Sequence, residues 1–211
     1  VRDPSLRPND PLAQSNVWTG VGTILYNMAT NPVTGAIYVS NTEAANEVRF
    51  EGPGTYVTNQ GAKPPGVPAT VQGDLHRARI TVLDGANVDP RHLNKHIDYS
   101  VLPAPVGTAD HSLSMPTEMA VSSDGTKLYV AAFGSSKVGV FDTATLEDDS
   151  FDPTLQSAQY IDVSGGGPGG VVLDEARDRL YVLTRFDNSV SVVDLSTGNE
   201  TSHVALFNPE P

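Results

Sequence analysis

The sequence predicts an all-β fold, a β-propeller of about three four-stranded blades that belong to a larger ring of about seven blades. The first observation is a tyrosine-centred pattern that occurs three times, at Ile37-Tyr38-Val39, Leu128-Tyr129-Val130 and Leu180-Tyr181-Val182. The second is an apolar residue ten positions before each tyrosine (Met28, Met119 and Val171), with turn-forming residues in between. A strand, a tight turn and a second strand, repeated along the chain, are typical of repeat β-architectures.

The first predicted blade covers residues 24–102 and carries a long insertion at 42–78. Its strands are predicted at 25–30, 36–41, 79–84 and 96–101. The third is placed at 79–84 because Ile80-Thr81-Val82-Leu83-Asp84 reproduces the alternation and the final aspartate of the sister blades. Residues 1–23 are assigned to the end of a preceding blade or to an N-terminal arm.

The second and third predicted blades cover residues 103–163 and 164–207, and residues 208–211 form a tail. In the second blade, strands are expected at 117–122, 127–132, 137–142 and 158–163. In the third, they are expected at 170–174, 179–184, 189–194 and 201–206. Little helix is expected, since a propeller consists almost wholly of strands and loops.

The repeat also predicts the core. Tyr38, Tyr129 and Tyr181 should occupy equivalent sites, and Val39, Val130 and Val182 should be buried on the opposite strand face. Three blades fall short of the ~4–8 that close a propeller. We therefore expect two uncovered blade faces, which need further parts of the same protein or further chains as partners. The start at Val1 without a methionine leads to the same expectation, that the chain is a piece of something longer.

The blades resemble YVTN-type bacterial β-propeller repeats, in which LYVxN is followed by VSVID. Leu180-Tyr181-Val182 and Val190-Ser191-Val192-Val193-Asp194 match this pattern well. Residues 37–41 keep the asparagine, Asn41, whereas the later blades have Ala132 and Thr184 there. The resemblance covers roughly residues 20–207.

A narrower resemblance, in residues 39–43, 46–54 and 92–99, is to the propeller part of large exported bacterial proteins. Those proteins often carry c-type cytochrome segments similar to di-haem peroxidases. The resemblance implies a periplasmic or extracellular location and a redox setting with a cytochrome segment as partner. Because the chain has no cysteine, it has no Cys-x-x-Cys-His attachment, and any haem c would lie in sequence outside this chain.

Composition narrows the function classes. The net charge of −12 disfavours nucleic acid and anionic membranes as partners. No run approaches the ~18 apolar residues of a membrane span. We expect no cofactor in this chain, with Ca²⁺ as the exception to test.

Carboxylates concentrate between residues 138 and 176, where there is no lysine or arginine. Asp148, Asp149 and Asp152 are candidate Ca²⁺ ligands, because Ca²⁺ prefers six to eight hard oxygens. The alternative is a solvated acidic surface. Glu118 is a second candidate, since it aligns with Asn27 and Gly170 on strands that should line the central channel. It would act there as a metal ligand or general base, or else as part of a solvated wall.

Two histidines are candidate transition-metal ligands. His92 and His96 lie four residues apart, and imidazole is a good ligand for such metals. A strand beginning near His96 would separate them, and the alternative is a loop packed by polar side chains. His111 beside Asp110 is a candidate acid–base pair, although adjacent residues rarely face one another.

Two long segments, at 42–78 and 85–116, are the candidate functional insertions, because long loops in a compact domain are usually functional or disordered. Arg49, Phe50 and Tyr56 would supply aromatic and arginine anchors, or else pack the loop onto its own blade. The leading functional hypothesis is a scaffold or binding module of a larger exported protein. The alternatives are a lactonase-like or lyase-like propeller enzyme with a channel metal, and a surface adhesion protein.

Overall fold

The computed structural model describes residues 17–44, 75–99, 101 and 103–206 of the 211-residue chain. Within them, the strands form three four-stranded antiparallel sheets, and each sheet takes its strands in chain order. The predicted all-β architecture of three four-stranded blades is therefore confirmed.

The strand bounds follow the prediction closely in ten of the twelve strands of the described chain. Blade 1 contains β1 (Ile24–Thr30), β2 (Ile37–Ala44), β3 (His76–Asp84) and β4 (Asn87–His92). Blade 2 contains β5 (Pro116–Val121), β6 (Lys127–Ala132), β7 (Lys137–Asp142) and β8 (Ile161–Asp162). Blade 3 contains β9 (Pro168–Asp174), β10 (Arg179–Thr184), β11 (Ser189–Asp194) and β12 (Glu200–Ala205).

The outer strand of blade 1 was predicted at the wrong place. It lies at β4, Asn87–His92, and not at 96–101. Gly85, with φ of 57°, follows Asp84 and turns the chain back at once, so that Asn87 pairs with Asp84. The two-residue loop is therefore Gly85-Ala86, and a glycine at positive φ in the first loop position is one of the favoured hairpin turns. Pro90 is tolerated because β4 is an edge strand, where a missing N–H leaves no partner unpaired.

The outer strand of blade 2 is also shorter than predicted, two residues in place of 158–163. The chain before it forms two short helices, α1 (Thr143–Glu147) and α2 (Pro153–Gln156), and a 3₁₀ turn at Ser157–Gln159. Other 3₁₀ turns lie at Thr108–His111, Phe133–Ser135 and Glu175–Arg177. Leu146 and Phe151 of this helical segment are buried between blades 1 and 2, so the segment fills space that a longer strand would leave open.

The three tyrosines are structurally equivalent, as predicted. Each pairs across the sheet with the residue nine positions before it, which is Ala29, Ala120 or Val172. The neighbouring valines Val39, Val130 and Val182 point to the opposite sheet face and are buried. The side-chain alternation of a strand therefore gives every blade a tyrosine face and a valine face.

Successive blades pack tyrosine face against valine face. The tyrosine face of blade 1, with Tyr38 and Ile80, shares a core with Val130 and Leu128 of blade 2. Blade 2 packs in the same way against blade 3, through a core that includes Val140. The innermost strands β1, β5 and β9 lie side by side along the inner edge of the arc.

The two ends of the arc differ. The valine face of blade 1 is partly covered by Trp18 and Val21, which pack on Val39 and Leu83. Residues 17–23 form no strand. On the tyrosine face of blade 3, Val172 remains 63% exposed.

Candidate functional site

The connections between strands divide into two sets, one at each end of the sheets. The chain leaves β2, β4, β6, β8 and β10 at the same end, where Ala44 pairs with His76. We call this end the insertion face, because the 45–74 segment departs from it and returns to it. It also carries the connections 93–115, 133–136, 163–167 and 185–188. The other end carries the connections 31–36, 85–86, 122–126, 143–160, 175–178 and 195–199, and we call it the hairpin face.

An aromatic platform lies on the insertion face, where blades 2 and 3 meet. The rings of Phe133 and Phe186 pack edge to face with centroids 5.2 Å apart. A Cβ atom on Gly166 or Gly167 would come within 2.8 or 2.7 Å of the Phe186 ring, and both glycines have positive φ. The backbone of Gly166 and Gly167 therefore packs against one side of the Phe186 ring, while the residue as a whole stays 66% exposed.

An unpaired cation lies next to this platform. The Arg185 side chain extends over Gly169, where an added Cβ would lie 2.6 Å from Nε. Arg177 and Arg179 of the same blade pair with Asp174 and Asp194. The Arg185 guanidinium has no hydrogen-bond or ion-pair partner within the part of the chain that the structure describes, although the Arg185 backbone N–H donates to the Gly167 carbonyl oxygen. Exposed aromatic and arginine side chains are the types most enriched in protein interfaces.

The inner strands share a second feature, an irregularity near the insertion face. The register shifts between Leu25 and Asn27 in β1, between Pro116 and Met119 in β5, and opposite Leu183 and Thr184 for β9. Such β-bulges re-aim side chains and are frequent beside functional sites. Because a bulge occurs here in all three blades, this end of the inner strands is a candidate location for a functional site.

The predicted channel residues are only partly brought together. Asn27 Nδ2 donates to Glu118 Oε1 at 2.6 Å, so the inner strands of blades 1 and 2 are joined there. Gly170 contributes no side chain to this pair. Metal binding by Glu118 stays a prediction.

A cluster that the sequence reasoning missed surrounds His203 on blade 3. Its Nε2 lies 2.5 Å from Asp187 Oδ2, and its Nδ1 lies 3.3 Å from Glu200 Oε1. The hydroxyls of Ser191 and Ser164 lie 3.1 and 3.2 Å from the same Nδ1. His203 is opposite Ser191 in the β11–β12 register, so only knowledge of the strand pairing could have revealed the cluster.

The carboxylates of this cluster are held in their charged form. Burial opposes their ionisation, but hydrogen bonds outweigh it: the one from His203 lowers the pKa of Asp187, and the one from the Ser164 backbone N–H lowers the pKa of Glu200. Ser164 Oγ donates to Glu200 at 2.7 Å. Its proton is therefore not directed at the imidazole, and the cluster fastens the 163–167 connection to the outer strand of blade 3.

His92 and His96 make separate hydrogen bonds, and metal binding by this pair stays a prediction. His92 ends β4, and its Nδ1 accepts from the Asn94 backbone N–H at 3.0 Å. His96 lies in the following turn, with Nε2 3.2 Å from the Thr108 carbonyl oxygen. Its ring contacts His111 instead, edge to face at 5.9 Å.

The three acidic candidates each have a separate partner. Asp148 accepts from the Ser150 backbone N–H, Asp149 pairs with Lys95, and Asp152 accepts from Thr154 to cap α2. Across the described residues, no group of three or more histidine, cysteine, aspartate or glutamate side chains is placed to hold a metal ion. Ca²⁺ binding stays a prediction.

The predicted partner-binding residues Arg49, Phe50 and Tyr56 lie outside the described residues. Their segment nevertheless begins after Ala44 and ends before His76, both on the insertion face. No helix in the described ranges is both long and apolar enough to cross a membrane.

No protein-family model matches the sequence, and no curated protein matches it. Among solved structures, the chain is similar to hydrazine synthase of Kuenenia stuttgartiensis, at TM-score 0.55 and 17% identity, over 82% of this chain and 46% of that one. The fold is that of a β-propeller. Weaker likenesses are to a nidogen/laminin complex (TM-score 0.49, 14% identity, 89% and 49% covered) and to AztD from Citrobacter koseri (0.39, 12%, 87% and 47%). The chain spans about half the length of the solved chains it matches.

Proposed function

We propose that this chain is a binding module, a propeller segment of a larger exported bacterial protein that docks a partner through its insertion face. The observation that carries the proposal is the exposed Phe186 ring, seated on bare glycine backbone beside the unpaired guanidinium of Arg185. A rigid aromatic side chain loses little freedom on binding, and a guanidinium without an internal partner keeps all its N–H donors available for a partner, so both favour use as interface anchors.

The partner we propose is a c-type cytochrome portion. This rests on the resemblance of the blades to YVTN-type repeats and of residues 39–43, 46–54 and 92–99 to the propeller part of cytochrome-bearing exported proteins. The same resemblance supports a periplasmic or extracellular location. The net charge of −12 favours a basic partner, because charge complementarity accelerates encounter and rejects acidic competitors.

A site-specific photo-crosslink tests two statements separately: that the insertion face binds a partner, and that this partner is a cytochrome portion. The photoreactive amino acid p-benzoylphenylalanine replaces Phe186 in the intact protein in its native cells. The matched control carries it at Val33, which is 68% exposed on the hairpin face. After proteolysis, crosslinked peptides are identified by mass spectrometry, and an adduct is scored haem-positive when the partner peptide comes from a segment with covalently bound haem.

We expect a haem-positive adduct from position 186 and none from position 33. A haem-negative adduct from position 186 alone would contradict the cytochrome partner and leave the binding module standing. No adduct from position 186, or equal adducts from both positions, would overturn the binding module.

A further inference from the structure

The aromatic platform rests on two connections of the insertion face, the first at 163–167 and the second at 185–188. Phe186 belongs to the second connection, and its ring packs on the glycine backbone of the first. At one end the two connections are joined by a backbone hydrogen bond, from the Arg185 N–H to the Gly167 carbonyl oxygen at 3.1 Å. The position of the ring also depends on what holds their other ends together.

The Asp187 carboxylate lies directly on the first connection. A Cβ atom added to Gly165 would come within 2.5 Å of Oδ1 and 2.7 Å of Oδ2, so only glycine allows this approach. The Thr184 hydroxyl donates to Oδ1 at 2.8 Å and orients the carboxylate. The residue next to Phe186 is therefore packed against the same segment as the Phe186 ring.

Two side chains of the outer strand β12 each hold one of the connections. His203 Nε2 lies 2.5 Å from Asp187 Oδ2, and the ring N–H donates to it, since a carboxylate oxygen only accepts. The Glu200 carboxylate accepts from the Ser164 backbone N–H and hydroxyl, at 2.8 and 2.7 Å. The outer strand thus ties the second connection through His203 and the first through Glu200.

The two holding side chains also contact each other. His203 Nδ1 lies 3.3 Å from Glu200 Oε1 and 3.1 Å from the Ser191 hydroxyl of strand β11. The side chains of His203 and Glu200 are 29% and 17% exposed, so water competes only in part for these hydrogen bonds. Hydrogen bonds to an ionised carboxylate are stronger than neutral ones. Together they fix the two connections relative to each other.

We propose that His203 is a positioning residue of the aromatic platform, and that it holds the Phe186 ring in place for the partner through Asp187. The inference rests on the proposed function of the platform. A side chain that is held in its bound position beforehand loses less freedom when a partner arrives, so binding is tighter. His203 acts through Phe186 and does not itself touch the partner.

A fluorine label at position 186 tests the positioning role without the partner. para-Fluorophenylalanine replaces Phe186 in the intact protein, and fluorine NMR reports how uniformly the ring is held. His203→Phe keeps an aromatic ring but removes the hydrogen bond to Asp187. We expect it to broaden the resonance at least about twofold or to split it, because the ring then samples several positions. His203→Gln, whose amide N–H still donates to Asp187, should give an intermediate line width.

His76→Phe is the matched control, because His76 is an exposed histidine on the insertion face of blade 1. It should leave the fluorine resonance unchanged, and circular dichroism confirms that every variant folds. In the photo-crosslink from position 186, His203→Phe should lower the adduct yield about threefold, because fewer molecules present the ring in its binding position.

An unchanged resonance or an unchanged adduct yield in folded His203→Phe would overturn the proposal, as would equal broadening in His76→Phe. The two proposals fail separately. If position 186 gives no adduct in the unmutated protein while the fluorine label responds as expected, the binding module is refuted and the positioning of the Phe186 ring by His203 stands.

Discussion

Replacing Tyr38 with phenylalanine removes one oxygen atom from the interface between blades 1 and 2. Tyr38 is fully buried. Its hydroxyl donates to Glu147 Oε1 at 2.5 Å and accepts from Asn31 Nδ2 at 3.0 Å. Burial, together with the hydrogen bond to Glu147, raises the pKa of Tyr38, so the phenol stays protonated and keeps donating at physiological pH.

The cost of Tyr38→Phe follows from these contacts. A hydrogen bond to a charged group contributes about 1.5–3 kcal/mol. Asn31 keeps its second acceptor, the Gly125 carbonyl oxygen, so its amide is not left unpaired. We therefore expect a loss of about 2 kcal/mol in the free energy of unfolding. For a domain of this size, that lowers Tm by about 4–8 °C.

The repeat supplies matched controls for this experiment. Tyr129 and Tyr181 occupy the same blade position, but their hydroxyls make no hydrogen bond within the described residues. Tyr129→Phe and Tyr181→Phe should change stability by less than about 0.5 kcal/mol. Urea denaturation measures all three variants. Equal losses in the three would refute the reasoning, as would a Glu147→Gln variant whose effect adds fully to that of Tyr38→Phe.

Three further perturbations test the packing and the turns. Gly125 and Gly198 both have positive φ, but only at Gly125 would an added Cβ collide with a side chain. Gly125→Ala should therefore lower the free energy of unfolding by at least about 2 kcal/mol more than Gly198→Ala does, as measured by thermal unfolding. Val130→Asp should destabilise by more than about 4 kcal/mol, because it buries an unpaired charge; an unchanged Tm would contradict its assignment to the core. The hydrogen bond from Ser196 is the main cause that lowers the pKa of Asp194 to about 2. A lowered carboxyl pKa stabilises the fold above about pH 4, and this stability is lost as the pH falls towards 2; Asp194→Asn should flatten that part of the stability–pH curve.

The strands were predictable because their signals are local. Apolar and polar residues alternate around Tyr38, Tyr129 and Tyr181, and turn formers separate the alternating segments. This pattern correctly predicted ten strands and the opposite faces of the tyrosines and the neighbouring valines. The outer strand of blade 1 was predicted too late in the sequence because Gly85-Ala86 was not recognised as a two-residue hairpin loop. The helices α1 and α2 are too short for a helical periodicity to show.

The candidate sites were less predictable because they depend on long-range pairing. His203 meets Asp187 and Glu200 only through the β11–β12 register. The sequence paired His96 with His92, because the spacing of residues within one segment was the available signal. The structure places His111 beside His96 instead.

The open tyrosine face of blade 3 allows a direct test of whether the three blades belong to a larger ring, because a propeller blade needs a neighbour on each side. Val172 on that face is 63% exposed, whereas its counterpart Ala120 in blade 2 packs against the core shared with blade 3. Sedimentation equilibrium of the isolated 22.3 kDa chain at micromolar concentration measures whether this face is used. We expect the chain to associate and Val172→Asp to weaken the association, since a charge there disrupts an apolar contact. A folded, stable monomer at all concentrations would contradict the conclusion that these three blades are part of a larger ring.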